Sequence, residues 1–181
     1  MIQKILNSRD PFLRQTAKPV TAFDQRVKSI LQDLQDTLEV QKDPEGVGLA
    51  ATQIGKNLQA FVVNYRGFKR VVVNPLVSAV KNQDQPAQTA KAGTQILEGC
   101  LSLPNYYGPL KRAAVVKIKY QTPAPDNLSL IAKEETFTGF HAQIVLHEID
   151  HLNGVLFLDR LLEQKRPLYK LEGDQWEEVE I

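Results

Sequence analysis

Sulfur and imidazole are scarce in this chain. Its 181 residues include one cysteine, one methionine, one tryptophan and three histidines. A single thiol, Cys100, excludes an internal disulfide and suits a reducing compartment. No apolar run is long enough to span a bilayer as a helix. The first ten residues, Met1 to Asp10, lack the apolar core of a secretory signal. Charge of one sign is lacking too: the formal net charge is +1, so nothing steers the molecule towards nucleic acid or an anionic membrane. There are no repeats, low-complexity segments or domain linkers. With 43% hydrophobic and 24% charged residues, the expectation is a soluble, cytoplasmic protein whose residues 1–181 form one domain with a real core.

Against that scarcity, two of the three histidines stand four apart, in His147-Glu148-Ile149-Asp150-His151. On an α-helix such a pair projects from one face, about 40° apart, so both rings can reach one metal ion. The glutamate beside the first reaches towards whatever else that ion binds, the H-E-x-x-H arrangement of metal-dependent hydrolases. A helical wheel puts Phe140, Gln143, Ile144, His147, Glu148 and His151 on one side and Ala142, Val145, Ile149 and Leu152 roughly opposite. A helix apolar behind and polar in front is expected at the centre of the fold. Asn153-Gly154 should stop it in a left-handed cap.

Upstream, Asp10 to Val20 reads as an extended, turn-rich entry. Asp24 is placed to cap a helix whose Val27, Ile30, Leu31, Leu34 and Leu38 make one buried stripe, better explained by packing under a sheet than by a partner groove. Asp43-Pro44-Glu45-Gly46 ends it. Gly46 to Gly55 is rich in small residues, with Gln53 its one strong polar handle. By itself the stretch reads as a glycine-rich turn, since the context of a nucleotide loop is absent. Strands are expected over residues 58–64 and 70–74, turned at Arg66-Gly67 and closed by Pro75, and over 115–120. Residues 121–127 should turn, with 128–131 pairing back. Residues 81–93 read as an exposed loop. After Arg160 the tail is charged, with Trp176 its only large anchor. The fold class is α+β: a central helix on antiparallel sheets plus an N-terminal amphipathic helix.

Catalytic metal sites usually have three protein ligands. Candidates for the third are Cys100, His141 or a carboxylate. His141 lies about 120° round the helix from His147 and cannot join it, so it reads as a polar residue near the helix start. Cys100, in Glu98-Gly99-Cys100-Leu101-Ser102, is either a small buried apolar residue or the missing ligand.

Three stretches in order, Gly46 to Gln53, Glu98 to Ser102 and His147 to His151, resemble the signatures of the peptide deformylase family. Asp10-Pro11-x-Leu13-Arg14 to Pro19-Val20 and Gly154 to Asp159 are similar to it as well, so the resemblance covers roughly residues 5–160 and leaves 161–181 aside. It implies removal of the formyl group from N-terminal formylmethionine of nascent polypeptides at the ribosome. It also implies Cys100, His147 and His151 as metal ligands, Glu148 as general base and acid, and Gln53 with the Leu101 backbone N–H at the oxyanion. Gly48 would lie along the substrate backbone. Phe140 and Ile144, with Val47, Gly99 and Tyr107, would line the methionine pocket. The metal implied is iron(II), with zinc, nickel or cobalt able to replace it. A Glu98–Arg112 ion pair would brace the Cys100 loop. The residue before His147, usually glutamine in that family, is Leu146, expected to point away from the metal. The Asn105-Tyr106-Tyr107-Gly108 loop leaves peptide preference open. Two other readings remain. A peptidase for internal bonds would usually draw a ligand from beyond the helix, where no histidine follows His151. A catalytically silent binding protein would close its site with a fourth protein ligand.

Overall fold

The computed structural model describes residues 1–42, 44–81 and 97–181. Helix α1 (Gln25–Glu39) starts where Asp24 accepts a hydrogen bond from the Val27 N–H at 2.9 Å. Its stripe from Val27 to Leu38 is buried as expected, and the functional groove reading is not needed. Strands β1 (Gly48–Ala50), β2 (Ala60–Tyr65), β3 (Phe68–Lys81), β6 (Val115–Pro123) and β7 (Leu130–Thr138) make an antiparallel sheet in the order β1-β2-β3-β6-β7. A second sheet orders β4 (Glu98–Cys100), β5 (Leu103–Gly108), β8 (Leu168–Glu172) and β9 (Gln175–Val179), again antiparallel. Helices α2 (Gly139–Leu152) and α3 (Phe157–Glu163) lie between β7 and β8 in the chain. The architecture is α+β, as the pattern predicts.

Period-two alternation in β2 explains the layering. Ala60 and Val62 pack with Leu34 and Leu38 of α1, whereas Phe61 and Val63 pack with Ala142, Val145 and Leu152 of α2. The sheet is therefore covered on both faces, and α2 is held from behind by Val72, Val116, Ile118 and Phe137. The third cluster joins Cys100 to Leu110, Phe157, Leu161 and Leu168, under the smaller sheet. Sequence position and packing agree here: the polar front of α2 faces the seam between the two sheets.

Several boundaries differ from expectation. Arg66 and Gly67 do turn the hairpin, both at positive φ (46° and 82°), the pairing a tight two-residue turn requires. Pro75, however, does not close β3. The ladder slips between Val73 and Leu76, so a residue without an N–H falls in a bulge, and pairing resumes with β6. Asn74, at φ 50°, fixes that bulge by accepting from the Val20 N–H and donating to Val20 O and Gln121 Oε1, each at 2.8 Å. The predicted turn over 121–127 is shorter, because β6 runs to Pro123, and β7 extends from Leu130 through the Glu134-Glu135-Thr136 run. Gly46 to Gly55 is not a simple turn but strand β1 followed by a 3-10 turn at Ala51–Ile54. The 105–108 loop is part of β5. The tail is helix α3 and the β8–β9 hairpin; its buried anchors are Leu161 and Leu168, while Trp176 is 52% exposed. Of the loop expected over 81–93, only Lys81 lies among the described residues, and it ends β3.

Gly154, not Asn153, carries the left-handed conformation after α2 (φ 72° against −97°). A Cβ there would overlap the Arg14 carbonyl, whereas one on Gly67 would meet nothing. Gly67→Ala should therefore cost only backbone strain, about 1–2 kcal/mol. Gly154→Ala should cost clearly more, read as the difference in urea unfolding free energy between the two variants.

Candidate metal centre and its cleft

Strand β7 delivers the chain to α2 through Gly139, at φ 55°, whose N–H donates to Ala114 O at 2.8 Å. This fixes where the helix begins, and so where His147, Glu148 and His151 fall; all three are buried. The β4–β5 hairpin brings Cys100 to them through the tight Leu101-Ser102 turn. Cys100 Sγ lies 3.3 Å from His151 Nε2, which lies 3.2 Å from His147 Nε2. The three donor atoms are all within 4.8 Å of one another. His141 is elsewhere, against the rings of Tyr65 and Phe68.

Do these residues suit a metal? A tetrahedral ion with bonds of about 2.05 Å to nitrogen and 2.3 Å to sulfur holds its donors roughly 3.3 to 3.6 Å apart. The spacings of 3.2 and 3.3 Å at His151 are close to that. His147 Nδ1 pairs with Glu98 Oε1 at 2.7 Å, which leaves its Nε2 facing the other two donors. Burial drives the His151 pKa well below its ordinary value, so the ring is neutral and its nitrogen lone pair is free to bind a cation. The donor set fits a single ion.

Polar groups converge from the β1 side as well. Gln53 accepts from the Ala50 N–H at 2.9 Å, and its Nε2 donates to Ser102 Oγ at 3.2 Å and to Cys100 Sγ at 3.6 Å. The Ser102 N–H also donates to Cys100 Sγ, at 3.4 Å. Glu148 is fully buried, and burial, with Glu98 adding to it, pushes its pKa up to about 7 although His147 and Arg112 oppose the shift. Among the described residues its Oε2 has no hydrogen-bond partner. A group titrating near neutrality can both take and return a proton. Gly48 leaves it room, for a Cβ there would overlap its carboxylate.

Behind the histidines is a buried charge array. Arg112 donates Nε and Nη2 to Glu98, both at 2.7 Å, and Nη1 to Asp150 at 2.8 Å. The expected Glu98–Arg112 pair is therefore present, and it carries a third member. Burial alone would raise the Glu98 pKa, but Arg112 and His147 outweigh it and hold the group at about 2, ionised. Gln143 Nε2 also donates to Glu98, at 3.1 Å.

A cavity of about 460 Å³ opens in front of the centre. It is lined by Val47, Gly48, Gln53, Gly99, Cys100, Leu101, Tyr107, Phe140, Ile144, His147 and Glu148, which is every sequence candidate except His151 behind them. Leu146 is absent from the lining and packs on the core, as its wheel position predicts. The sequence reading missed Tyr65, which lines the cavity edge-on to Phe140 at 4.8 Å, as well as Ser102, Asp150 and Arg160. A tyrosine at a strand end carries no local signal of a distant cleft. The other three lie within or beside motifs that were read for different residues.

The model of the family described as polypeptide deformylase matches residues 2–167. The chain belongs to the polypeptide deformylase family. It is 35% identical to a peptide deformylase of Thermotoga maritima over 161 residues, 89% of this chain and 88% of that one. It is also 35% identical to one from Desulfotalea psychrophila, covering 97% of this chain and 96% of the other. A crystal structure of a peptide deformylase from Legionella pneumophila superposes with a TM-score of 0.74 at 36% identity, over 89% of this chain and 86% of that one. Membership of the deformylase family makes the chain a metal-dependent hydrolase of the formyl group on N-terminal methionine, with formylated nascent peptides as substrates. Nothing in these comparisons favours an internal-bond peptidase or a silent binding protein. The family and the Cys100–His147–His151 group both point to a single metal ion.

The charge array behind the site makes a stability prediction. Arg112→Met leaves Glu98 facing Asp150 in a buried setting without the cation they share. It should cost about 3–5 kcal/mol in urea unfolding, far more than Lys117→Met at the exposed Glu134 pair.

Proposed function

We propose that Cys100, His147 and His151 hold one divalent ion, iron(II) in the cell, and that Glu148 is the general base and acid of deformylation. The observation carrying this is the convergence of one sulfur and two ring nitrogens at ligand spacing, beside a buried carboxylate whose Oε2 has no partner among the described residues. A soft thiolate with two imidazoles admits iron(II), zinc, nickel or cobalt, and the deformylase family favours iron(II) among them. When bound, such a dication acts as a Lewis acid and brings the pKa of water from near 16 to about 7.

The chain's own groups do the rest. The side chain of the formylated methionine enters the cavity between Phe140 and Ile144, with Val47, Gly99 and Tyr107 completing its walls and Gly48 along the peptide backbone. A formyl group offers almost nothing to grip, so the apolar pocket supplies the binding. Glu148 takes the proton of the attacking water and later returns it to the departing amine nitrogen, releasing formate. As the formyl oxygen gains charge, Gln53 Nε2, giving up its long contact to Cys100 Sγ, and the Leu101 backbone N–H donate to it, each worth about 3 kcal/mol. Such an enzyme works on nascent chains at the ribosome, in the cytoplasm. The lone thiol fits that reducing setting.

Formate release from a formyl-Met peptide tests the assignment, with metal content measured on the same samples. Glu148→Gln should lower kcat by about 10²–10⁴-fold with the metal retained. Gln53→Ala should lower kcat by about 10²-fold with little change in KM, and Cys100→Ser should lose metal. A Cys100→Ser protein with full metal content and activity would remove the sulfur from the site.

A further inference from the structure

Asp150 lies between His147 and His151 in the chain and is 6% exposed. Its Oδ2 accepts from Arg112 Nη1 at 2.8 Å and from Arg160 Nε at 3.1 Å, and its Oδ1 accepts from Arg160 Nη2 at 2.7 Å. Arg160 belongs to α3, the short helix after the histidines, and among the described residues supplies two of the three side-chain bonds to this buried carboxylate. That division of labour matters for Arg112. Needing to give Asp150 only Nη1, Arg112 keeps both Nε and Nη2 on Glu98. Glu98 in turn keeps Oε1 on His147 Nδ1 at 2.7 Å.

A buried carboxylate is costly unless it is fully paired. Without Arg160, Asp150 would have one cationic partner left among these, and it would draw the Arg112 guanidinium away from Glu98. The two-pronged clamp on Glu98 would loosen, and the anchor that sets the His147 ring plane with it. We infer that Arg160, acting through Asp150 and Arg112, is a positioning residue for the His147 imidazole. The inference rests on the reading of His147 as a metal ligand. The plainer role for Arg160 is to staple α3 to α2, helped by its bond to Glu163 Oε2 at 3.0 Å.

The two roles separate on the metal-loaded protein. The readouts are the rate of metal loss to excess chelator, the absorption spectrum of the cobalt-substituted protein and the urea midpoint. Arg160→Met, which keeps most of the apolar stem, should release metal about tenfold faster with an altered cobalt spectrum. Arg160→Lys keeps the charge without the fork, and should fall between that variant and the parent. It also serves as the test if the methionine variant does not fold. Glu163→Gln should match the parent. If the Arg160 variants lower the urea midpoint yet keep the parent's metal-loss rate and spectrum, Arg160 is only a staple and the inference fails. If His147→Ala retains metal at the parent's rate, the fault lies instead in the ligand assignment on which the inference stands.

Discussion

Histidine side chains on a helix can rotate, and two imidazoles meeting a sulfur will hold that arrangement only if something fixes the rings from behind. The Glu98–His147 hydrogen bond does this, and it depends on Glu98 being charged in a place where burial disfavours charge. Arg112 resolves the conflict. The metal centre is therefore built on an ion cluster that is itself buried, and the cluster exists because β4, the segment carrying Arg112, and α2 all meet at one seam.

The two sheets make that seam possible. The five-stranded sheet supports the back of α2 and leaves its polar front uncovered, and the four-stranded sheet brings Cys100 to that front. A helix with His147, Glu148, Asp150 and His151 all buried would be a liability in a plain core. Here the first pairs with Glu98, Asp150 has two arginines, and the donor atoms of the histidines converge with the thiol.

Local chemistry was what the sequence made legible. Helix α1 followed from apolar spacing after Asp24, the Arg66-Gly67 turn from its glycine, and the centre from two histidines four apart, its third ligand left open until the family resemblance pointed to Cys100. What escaped depended on tertiary partners. Pro75 reads as a strand end, and only the bulge, tied down by Asn74 to Val20, lets β3 continue. The charged tail offered only Trp176 as an anchor, and that ring is exposed; its structure rests instead on Leu168 and Val179, which pack with Leu161. Asp150 was visible as a residue but not as a partner, since Arg112 and Arg160 lie 38 and 10 positions away.

Each sheet ends at the cleft. Strand β1 is the first of one sheet and β4 the first of the other, and among the described residues neither has a second strand beside it. Gly48 on β1 and Gly99 on β4 both line the cavity. An extended polypeptide entering there meets open main-chain edges, whose donors and acceptors are the same whatever the visitor's side chains.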